Sequence, residues 1–145
     1  VPSWPRYSKG GIITIDPEEK AYLHWTEKLK IRSRNDPKQK IATLSGGNQQ
    51  KVVISKWMAT NPKIVLMDEP TVGVDIGTKV EIMKLVRSIA AEGKSVILVS
   101  SELPELLGVC DRILVIRKGE IAEELDRREI RDEDHLQMIV QGIRI

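Results

Sequence analysis

The chain has 145 residues, of which 41% are hydrophobic and 30% are charged, and its formal net charge is +2. This length fits a single domain, and a charge so close to neutral gives no indication of a nucleic-acid partner. The single cysteine, Cys110, excludes an internal disulfide and a cysteine-based zinc cluster. No apolar run approaches the roughly 20 residues that span a bilayer, and no secretory leader is expected, so a membrane role is expected to depend on a partner.

The first part of the chain predicts one short strand and two helices. Asp16 can cap a helix, Pro17 suits its first position, and Glu19 stands where a capping-box partner belongs. The pair Asn61-Pro62 predicts the end of the second helix. The predicted elements are a strand at Ile12–Ile15, a helix from Asp16 to about residue 30, a basic loop at 31–40 and a helix at about 47–60.

The rest of the chain alternates strands and helices. Two almost wholly apolar segments, 63–67 and 95–99, have the pattern of strands buried on both faces of a parallel sheet. The other predicted elements are a helix at 77–92, a short helix at 104–109, a strand at 112–116, a hairpin turn at Lys118-Gly119, a strand at 120–124 and a helix at 132–141. This order predicts an α/β fold with a mostly parallel sheet and flanking helices.

The helix at 77–92 is expected to be amphipathic. Its apolar face is predicted from Val80, Met83, Leu85, Val86, Ile89 and Ala90. In parallel sheets with such helices, functional residues collect beyond the carboxyl ends of the strands.

Residues 44–51, the signature loop and the start of the second predicted helix, read Leu-Ser-Gly-Gly-Asn-Gln-Gln-Lys. Glycines allow backbone N–H groups to approach an anion closely, and a helix start adds free N–H groups and the positive end of its dipole. Ser45 adds a hydroxyl donor. The alternative is an ordinary helix N-cap, which Ser and Asn both favour.

The second segment of interest reads Ile-Val-Leu-Met-Asp-Glu-Pro over residues 64–70. A buried strand delivers Asp68 to the edge of the sheet, where its carboxylate can hold the magnesium ion of a nucleotide through water. Glu69 points elsewhere and can orient or deprotonate an attacking water. Taken alone, two adjacent carboxylates also fit a solvated strand end; the signature loop upstream favours the nucleotide interpretation.

In this order and at this separation, the two segments resemble the signature loop and Walker B strand of ATP-binding cassette (ABC) ATPases. Asn48 replaces the Gln of most ABC proteins, and residues 68–75 and 99–102 read Asp-Glu-Pro-Thr-Val-Gly-Val-Asp and Val-Ser-Ser-Glu. This wording is similar to the second cassette of monosaccharide importer ATPases of the ribose, galactose and xylose type, whose near relatives import nucleosides. The resemblance extends over about residues 17–125.

The resemblance implies an ATP-binding and ATP-hydrolysing component of a carbohydrate importer, with ATP and Mg²⁺ as cofactors. The implied catalytic residues are Glu69, Asp68, which serves magnesium, and Ser101 at the switch position. The implied nucleotide-binding residues are Ser45, Gly46, Gly47, Asn48, Gln49 and Asp75, which belongs to the D-loop at the cassette interface. The implied partners are transmembrane permease subunits, a second cassette that supplies the phosphate loop and, indirectly, a periplasmic or lipoprotein sugar-binding protein. The implied location of this chain is the cytoplasmic face of the membrane.

Two departures from the family pattern matter. No G-x-x-x-x-G-K-[ST] phosphate loop occurs in the sequence; the segment from Gly73 to Lys79 has its glycines one residue too close and Thr-Lys in the wrong order. We therefore expect a partial cassette, P-loop NTPase-like in fold but without its phosphate-loop half, that is inactive alone. In addition, Ser101 replaces the His of most active sites, and a hydroxyl cannot replace an imidazole beside the γ-phosphate.

Three parts are predicted: 1–60 from the helical signature subdomain, 61–125 from the Walker B, D-loop and switch part of the ATPase core, and 126–145 as a helical tail. Two alternatives stay open within the family: a non-catalytic piece that donates its signature loop in trans, and a nucleoside importer. A third alternative, an ABC ATPase of DNA repair or translation, fits the sugar-importer wording of the signature and D-loop less well.

Overall fold

The computed structural model describes residues 8–9, 12–13, 15–34 and 36–143. The described helices are α1 (Ile15–Lys28), α2 (Gly46–Met58), α3 (Ile76–Ala91), α4 (Leu103–Val109) and α5 (Glu133–Gln141), with single 3-10 turns at Ile41–Thr43 and Arg127–Glu129. The described strands are β1 (Ser8–Lys9), β2 (Ile12–Ile13), β3 (Ile64–Asp68), β4 (Ser95–Val99), β5 (Arg112–Arg117) and β6 (Glu120–Asp126). They form three two-stranded sheets, β1–β2, β3–β4 and β5–β6.

The predicted start of the first helix was wrong by one residue. The strand ends at Ile13, and α1 already begins at Ile15, so Asp16 is the second residue of the helix and not the residue before it. A proline is tolerated anywhere in the first turn, because the N–H groups there have no partner within the helix. Pro17 is therefore compatible with the earlier start.

Contacts divide the chain into two compact units. The first comprises Val1–Val65 and Pro70–Ser95, and the second comprises Leu66–Glu69 and Val96–Ile145. The three-part division by function stays a prediction. In the described residues, no helix combines the length and the apolar character needed to span a membrane.

The first unit is built on helices whose apolar stripes are buried. On α3 the buried residues are Ile82, Val86 and Ile89, which are spaced as one face of a helix. The prediction for this face omitted Ile82, which is 0% exposed, and included Val80, which is 49% exposed. Val86 and Ile89 were predicted correctly, whereas the other buried residue, Ile82, was missed because apolar residues also occupy neighbouring positions of this helix and the spacing alone did not select the buried set.

Strands β3 and β4 run in the same direction. The N–H of Ser95 donates to the carbonyl oxygen of Lys63 (3.0 Å), and the N–H of Glu69 donates to that of Val99 (2.9 Å), so the strands pair start with start and end with end. Alternate residues of β3 are buried and exposed. The sequence pattern is that of a strand covered on both faces in a complete cassette, and a partial cassette is expected to leave apolar surface exposed; Leu66, which is 68% exposed, agrees with that expectation.

The second unit contains the β5–β6 hairpin and its packed helices. Lys118 (φ 52°) and Gly119 (φ 81°) both adopt positive φ, as a tight two-residue hairpin turn requires. The hairpin and the helices bury a small aliphatic core of Ile113, Ile130 and Leu136, packed by Leu103, Leu106, Leu107, Cys110 and Leu125. This arrangement confirms the predicted hairpin.

Candidate functional site

The signature loop leads directly into helix α2. Ser45 occupies the position before the helix in an extended conformation, and its side chain makes no capping bond to the helix. The N–H of Gln49 donates to the carbonyl oxygen of Ser45 (2.9 Å), which is the first bond of the helix. The N–H groups of the preceding turn have no partner inside a helix. The loop therefore presents backbone donors together with an exposed serine hydroxyl.

Two amide side chains hold the signature loop in place. The Oδ1 of Asn48 accepts a hydrogen bond from the N–H of Arg32 (2.9 Å), while its Nδ2 donates to the Oγ of Ser45 (2.8 Å). The Nε2 of Gln49 donates to the carbonyl oxygen of Leu44 (2.8 Å). These bonds give both amides a role in shaping the loop, and their contact with nucleotide stays a prediction.

The two glycines of the signature loop lie against the segment that precedes and begins α3. A Cβ atom at Gly46 would lie 3.6 Å from the carbonyl oxygen of Gly73. At Gly47, which is buried, a Cβ would overlap the Cγ2 of Thr78 and lie 2.8 Å from its Oγ1. Sequence reasoning assigned these glycines to anion approach, and the structure adds a packing requirement that no local pattern could indicate.

Asp75 is the N-cap of α3. Its carboxylate accepts hydrogen bonds from the backbone N–H of Thr78 (3.0 Å) and from the Oγ1 of the same residue (2.7 Å). These two bonds, the side-chain bond first, lower the pKa of Asp75 below its ordinary value. Asp75 is therefore a charged capping residue, and its role at a cassette interface stays a prediction.

Sequence reasoning missed the part played by Lys51, the last residue of the signature loop segment. Lys51 is only 5% exposed, and its Nζ donates to the Oε2 of Glu81 (2.6 Å) and to the carbonyl oxygen of Lys30 (3.4 Å). The bond from Lys51 also lowers the pKa of Glu81. Lys51 thus links α2 to α3 and to the turn after α1. Its place in the motif was the available signal, but lysine on a helix usually indicates a solvated face.

The predicted catalytic residues lie at the carboxyl ends of β3 and β4. Asp68 is exposed at the end of β3, and the bond between Glu69 and Val99 places this end beside that of β4, which Ser101 follows. Asp68, Glu69 and Ser101 are therefore brought to one end of the strand pair. They belong to the second unit, whereas the signature loop and Asp75 belong to the first.

Glu69 has an unusual backbone conformation. Its φ is 44°, although it carries a side chain and precedes Pro70. A residue before proline is restricted to extended conformations, and a positive φ outside glycine costs on the order of 1–3 kcal/mol. Such strain is often found where a side chain is held for function, and it turns the chain sharply directly after the strand.

The switch segment after β4 is held by Ser100. Its Oγ donates to the Oε2 of Glu105 (2.9 Å), which is 7% exposed, and accepts a bond from the N–H of Glu102 (3.1 Å). The neighbouring Ser101 is exposed. Of the two serines, the one predicted to be functional therefore faces solvent, and the other supports the turn.

The donors present fit the groups that the motifs imply. A helix start with glycines and a hydroxyl suits a phosphate anion, and an exposed carboxylate oxygen suits Mg²⁺. Within the described ranges, no group of three His, Cys, Asp or Glu side chains is arranged to hold a metal ion.

Comparison with known proteins finds similarity to transporter cassettes. The ABC transporter family matches residues 9–72. The ribose import ATP-binding protein RbsA of Jannaschia sp. (strain CCS1) is 47% identical over 92% of this chain and 26% of its own length. Its counterpart in Caldanaerobacter subterraneus subsp. tengcongensis is 46% identical over 91% of this chain and 26% of its own length. The chain thus spans about a quarter of the relatives that it matches.

Solved structures agree with this assignment of the fold. A dimeric bacterial ABC transporter cassette is 29% identical with a TM-score of 0.72, covering 88% of this chain and 55% of that one. An ATP-binding cassette in its ADP conformation is 28% identical with a TM-score of 0.70, covering 94% of this chain and 51% of that one. The predicted α/β fold, that of part of a cassette, is confirmed.

Proposed function

We propose that this chain is a cassette segment of the ABC transporter family, as its motifs predicted, and part of the ATP-binding component of a monosaccharide importer. The observation that carries this proposal is the 47% identity to a ribose import ATP-binding protein over 92% of the chain, together with a signature loop whose Ser45 is exposed at a helix start.

The signature loop acts on nucleotide held by another cassette. Ser45 and the backbone N–H groups of Gly46 and Gly47 donate hydrogen bonds to the γ-phosphate in the phosphate loop of that second cassette. The positive end of the α2 dipole adds to this attraction. Because Asn48 donates to the Oγ of Ser45 (2.8 Å), the single hydroxyl proton of Ser45 remains free to face the phosphate.

Asp68 and Glu69 serve the site of their own cassette. Mg²⁺ bound with ATP neutralises charge on the transferred phosphoryl group. Asp68 holds the hydrated ion by its carboxylate at the end of β3. Glu69 orients the attacking water, or accepts its proton, from the turn that its positive φ creates.

A second candidate function is a cassette that binds nucleotide without hydrolysing it. Ser101 favours this candidate, because a serine at the switch position supplies a hydroxyl in place of an imidazole. Such a chain donates its signature loop in trans while hydrolysis occurs at the site of its partner. The two candidates are separated by measuring ATPase activity after the catalytic carboxylate of the partner cassette has been inactivated. Remaining activity favours hydrolysis at the site of this chain, and loss of activity favours the non-hydrolysing candidate.

The proposed setting is the cytoplasmic face of the membrane. Closure of the two cassettes on ATP is transmitted to permease subunits, which receive sugar from an extracytoplasmic binding protein. The transported compound is a monosaccharide such as ribose, with a nucleoside as the alternative. Neither a nucleic acid nor a stand-alone ATPase activity is part of this proposal.

The test is a chimera in which this chain replaces the aligned segment of the Jannaschia ribose import ATP-binding protein. Ribose uptake by cells with the complete importer is measured for the chimera and for Ser45→Arg, whose side chain fills the phosphate position. We expect at least a tenfold loss of uptake at normal expression. Ser88→Arg is the matched control, because Ser88 is exposed and its Oγ donates only within α3, to the carbonyl oxygen of Leu85. Unchanged uptake in Ser45→Arg contradicts the proposal.

The isolated chain provides a second test. Calorimetric titration with Mg-ATP is expected to reveal no micromolar site, since the signature loop meets nucleotide only across an interface. A tight one-to-one isotherm contradicts the assignment of the phosphate cradle to a second cassette.

A further inference from the structure

Thr78 contacts two segments that the motifs treat separately. Its side chain packs against Gly47 of the signature loop, where a Cβ atom would overlap the Cγ2 of Thr78 and lie 3.0 Å from its Cβ. Its backbone N–H and its Oγ1 donate to the carboxylate of Asp75 at 3.0 and 2.7 Å. Both γ atoms of Thr78 therefore lie against the signature loop, the methyl group most closely, and the hydroxyl group also holds Asp75.

These contacts leave little freedom for independent movement. A threonine has two γ atoms on its Cβ, and its χ1 is stiff. If Gly47 shifts toward α3, the methyl of Thr78 has to move, and a change of χ1 carries the Oγ1 away from Asp75. Gly46 lies on the same segment, near the carbonyl oxygen of Gly73, and Lys51 holds α2 to α3 through Glu81 (2.6 Å).

We propose that Thr78 is a positioning residue that couples the signature loop to Asp75 within one chain. The direct contact of Gly47 with Thr78, and of Thr78 with Asp75, transmits a displacement of either loop to the other. The consequence for nucleotide rests on the proposed function: phosphate engaged by Ser45 and Gly47 also sets the position of the D-loop carboxylate.

The test uses this chain without nucleotide, so that its failure is distinct from failure of the transport proposal. Thermal unfolding and amide hydrogen exchange are measured for Gly47→Ala, alone and combined with Thr78→Ser or Thr78→Val. Serine removes the methyl group and keeps the hydroxyl, whereas valine keeps the steric bulk and removes the hydroxyl. Gly108→Ala in α4 is the matched control, since a Cβ there meets no atom within 4 Å.

We expect Gly47→Ala to lower Tm by at least about 5 °C and to speed exchange of the Thr78 amide at least tenfold, although alanine favours a helix. Thr78→Ser removes the methyl group in closest contact but keeps the Oγ1 that lies 2.8 Å from the added Cβ, so it is expected to restore most, but not all, of the loss in both readouts, whereas Thr78→Val is expected to restore none. Gly108→Ala should leave Tm unchanged or raise it. If Gly47→Ala does not fold, a folded Gly47→Ala/Thr78→Ser protein supports the proposal and an unfolded one overturns it. The proposal is also overturned if the effects of the Gly47 and Thr78 substitutions on Tm are strictly additive, or if Gly47→Ala leaves the exchange rate of the Thr78 amide unchanged.

Discussion

The region around the signature loop and the strand pair that carries Asp68 differ in how the chain supports them. Around the loop, Asn48 and Lys51 form hydrogen bonds inside the first unit, and Lys51 is 5% exposed. On the strand pair, Leu66 is 68% exposed and Ile97 is 54% exposed. The signature loop is therefore shaped by its own chain, whereas β3 and β4 expose apolar side chains, a surface suited to contact with another polypeptide.

The largest expected effect concerns this apolar surface. A few hundred Å² of apolar area, at about 25 cal/mol per Å², amounts to several kcal/mol in favour of association. We expect the isolated chain to self-associate, and Leu66→Lys/Ile97→Lys to shift it toward monomer in size exclusion with light scattering.

Lys84→Glu, a charge reversal on an exposed residue of α3, is the control and should leave association unchanged. Detergent is expected to have the same effect as the double variant. A wild-type chain that elutes as a monodisperse monomer would mean that this face needs no cover, and the contrast between the two regions would fail.

The next effect concerns the packing of the first unit. Ile82 is 0% exposed, so Ile82→Ala removes buried methyl groups and leaves a cavity, at a cost of about 2–5 kcal/mol in the free energy of unfolding. Val80 lies two residues earlier and is 49% exposed, so Val80→Ala is expected to lower the free energy of unfolding by less than about 1 kcal/mol. Urea denaturation of both variants measures the difference, and equal costs would contradict the assigned buried stripe.

The alternation of elements could be predicted from the sequence because it depends on local signals. The apolar run before Asp68, the pair Asn61-Pro62 and the turn Lys118-Gly119 each act on their own neighbours, and the elements they delimit are present. Exposed apolar surface on β3 could be expected from the missing phosphate-loop half, but an almost wholly apolar strand gives no sign of which of its faces lacks a cover.

The residues of the candidate site could be selected from the order and spacing of the motifs. The residues that hold them in place could not, because they are distant in sequence. Gly47 depends on Thr78, and Lys51 depends on Glu81, which lies 30 positions away. Such pairs arise only when α2 and α3 pack, so no spacing rule within one element indicates them.

A smaller effect is expected at the ion pair of Lys51 and Glu81. Glu81→Gln leaves a buried ammonium group without its counter-charge and should cost about 1 kcal/mol, less than a fully buried pair because the Glu81 side chain is 47% exposed. Lys51→Met removes the buried charge itself and is expected to cost less than Glu81→Gln. Urea denaturation at neutral pH ranks the two variants. The reverse order would show that the Lys51 side chain itself stabilises the packing of α2 on α3, and that the counter-charge of Glu81 matters less.

The smallest effect is a dependence of stability on pH that originates in the first unit. Thr78 lowers the pKa of Asp75, and Lys51 lowers that of Glu81. A carboxyl group with a lowered folded-state pKa stabilises the fold above its unfolded pKa, near 4, and this contribution disappears as pH falls through the folded pKa. The free energy of unfolding should therefore fall from about pH 5 downward.

Asp75→Asn, which keeps an acceptor oxygen but cannot ionise, should make this fall shallower while leaving the profile above pH 6 parallel to that of the wild type. The measurement is urea denaturation at closely spaced pH values. Asp36→Asn is the matched control, because Asp36 is an exposed carboxylate that accepts the N–H of Lys38 in a loop. An Asp75→Asn profile as steep as that of the wild type would mean that the cap does not contribute through its charge, and the contacts of Thr78 would then act by packing alone.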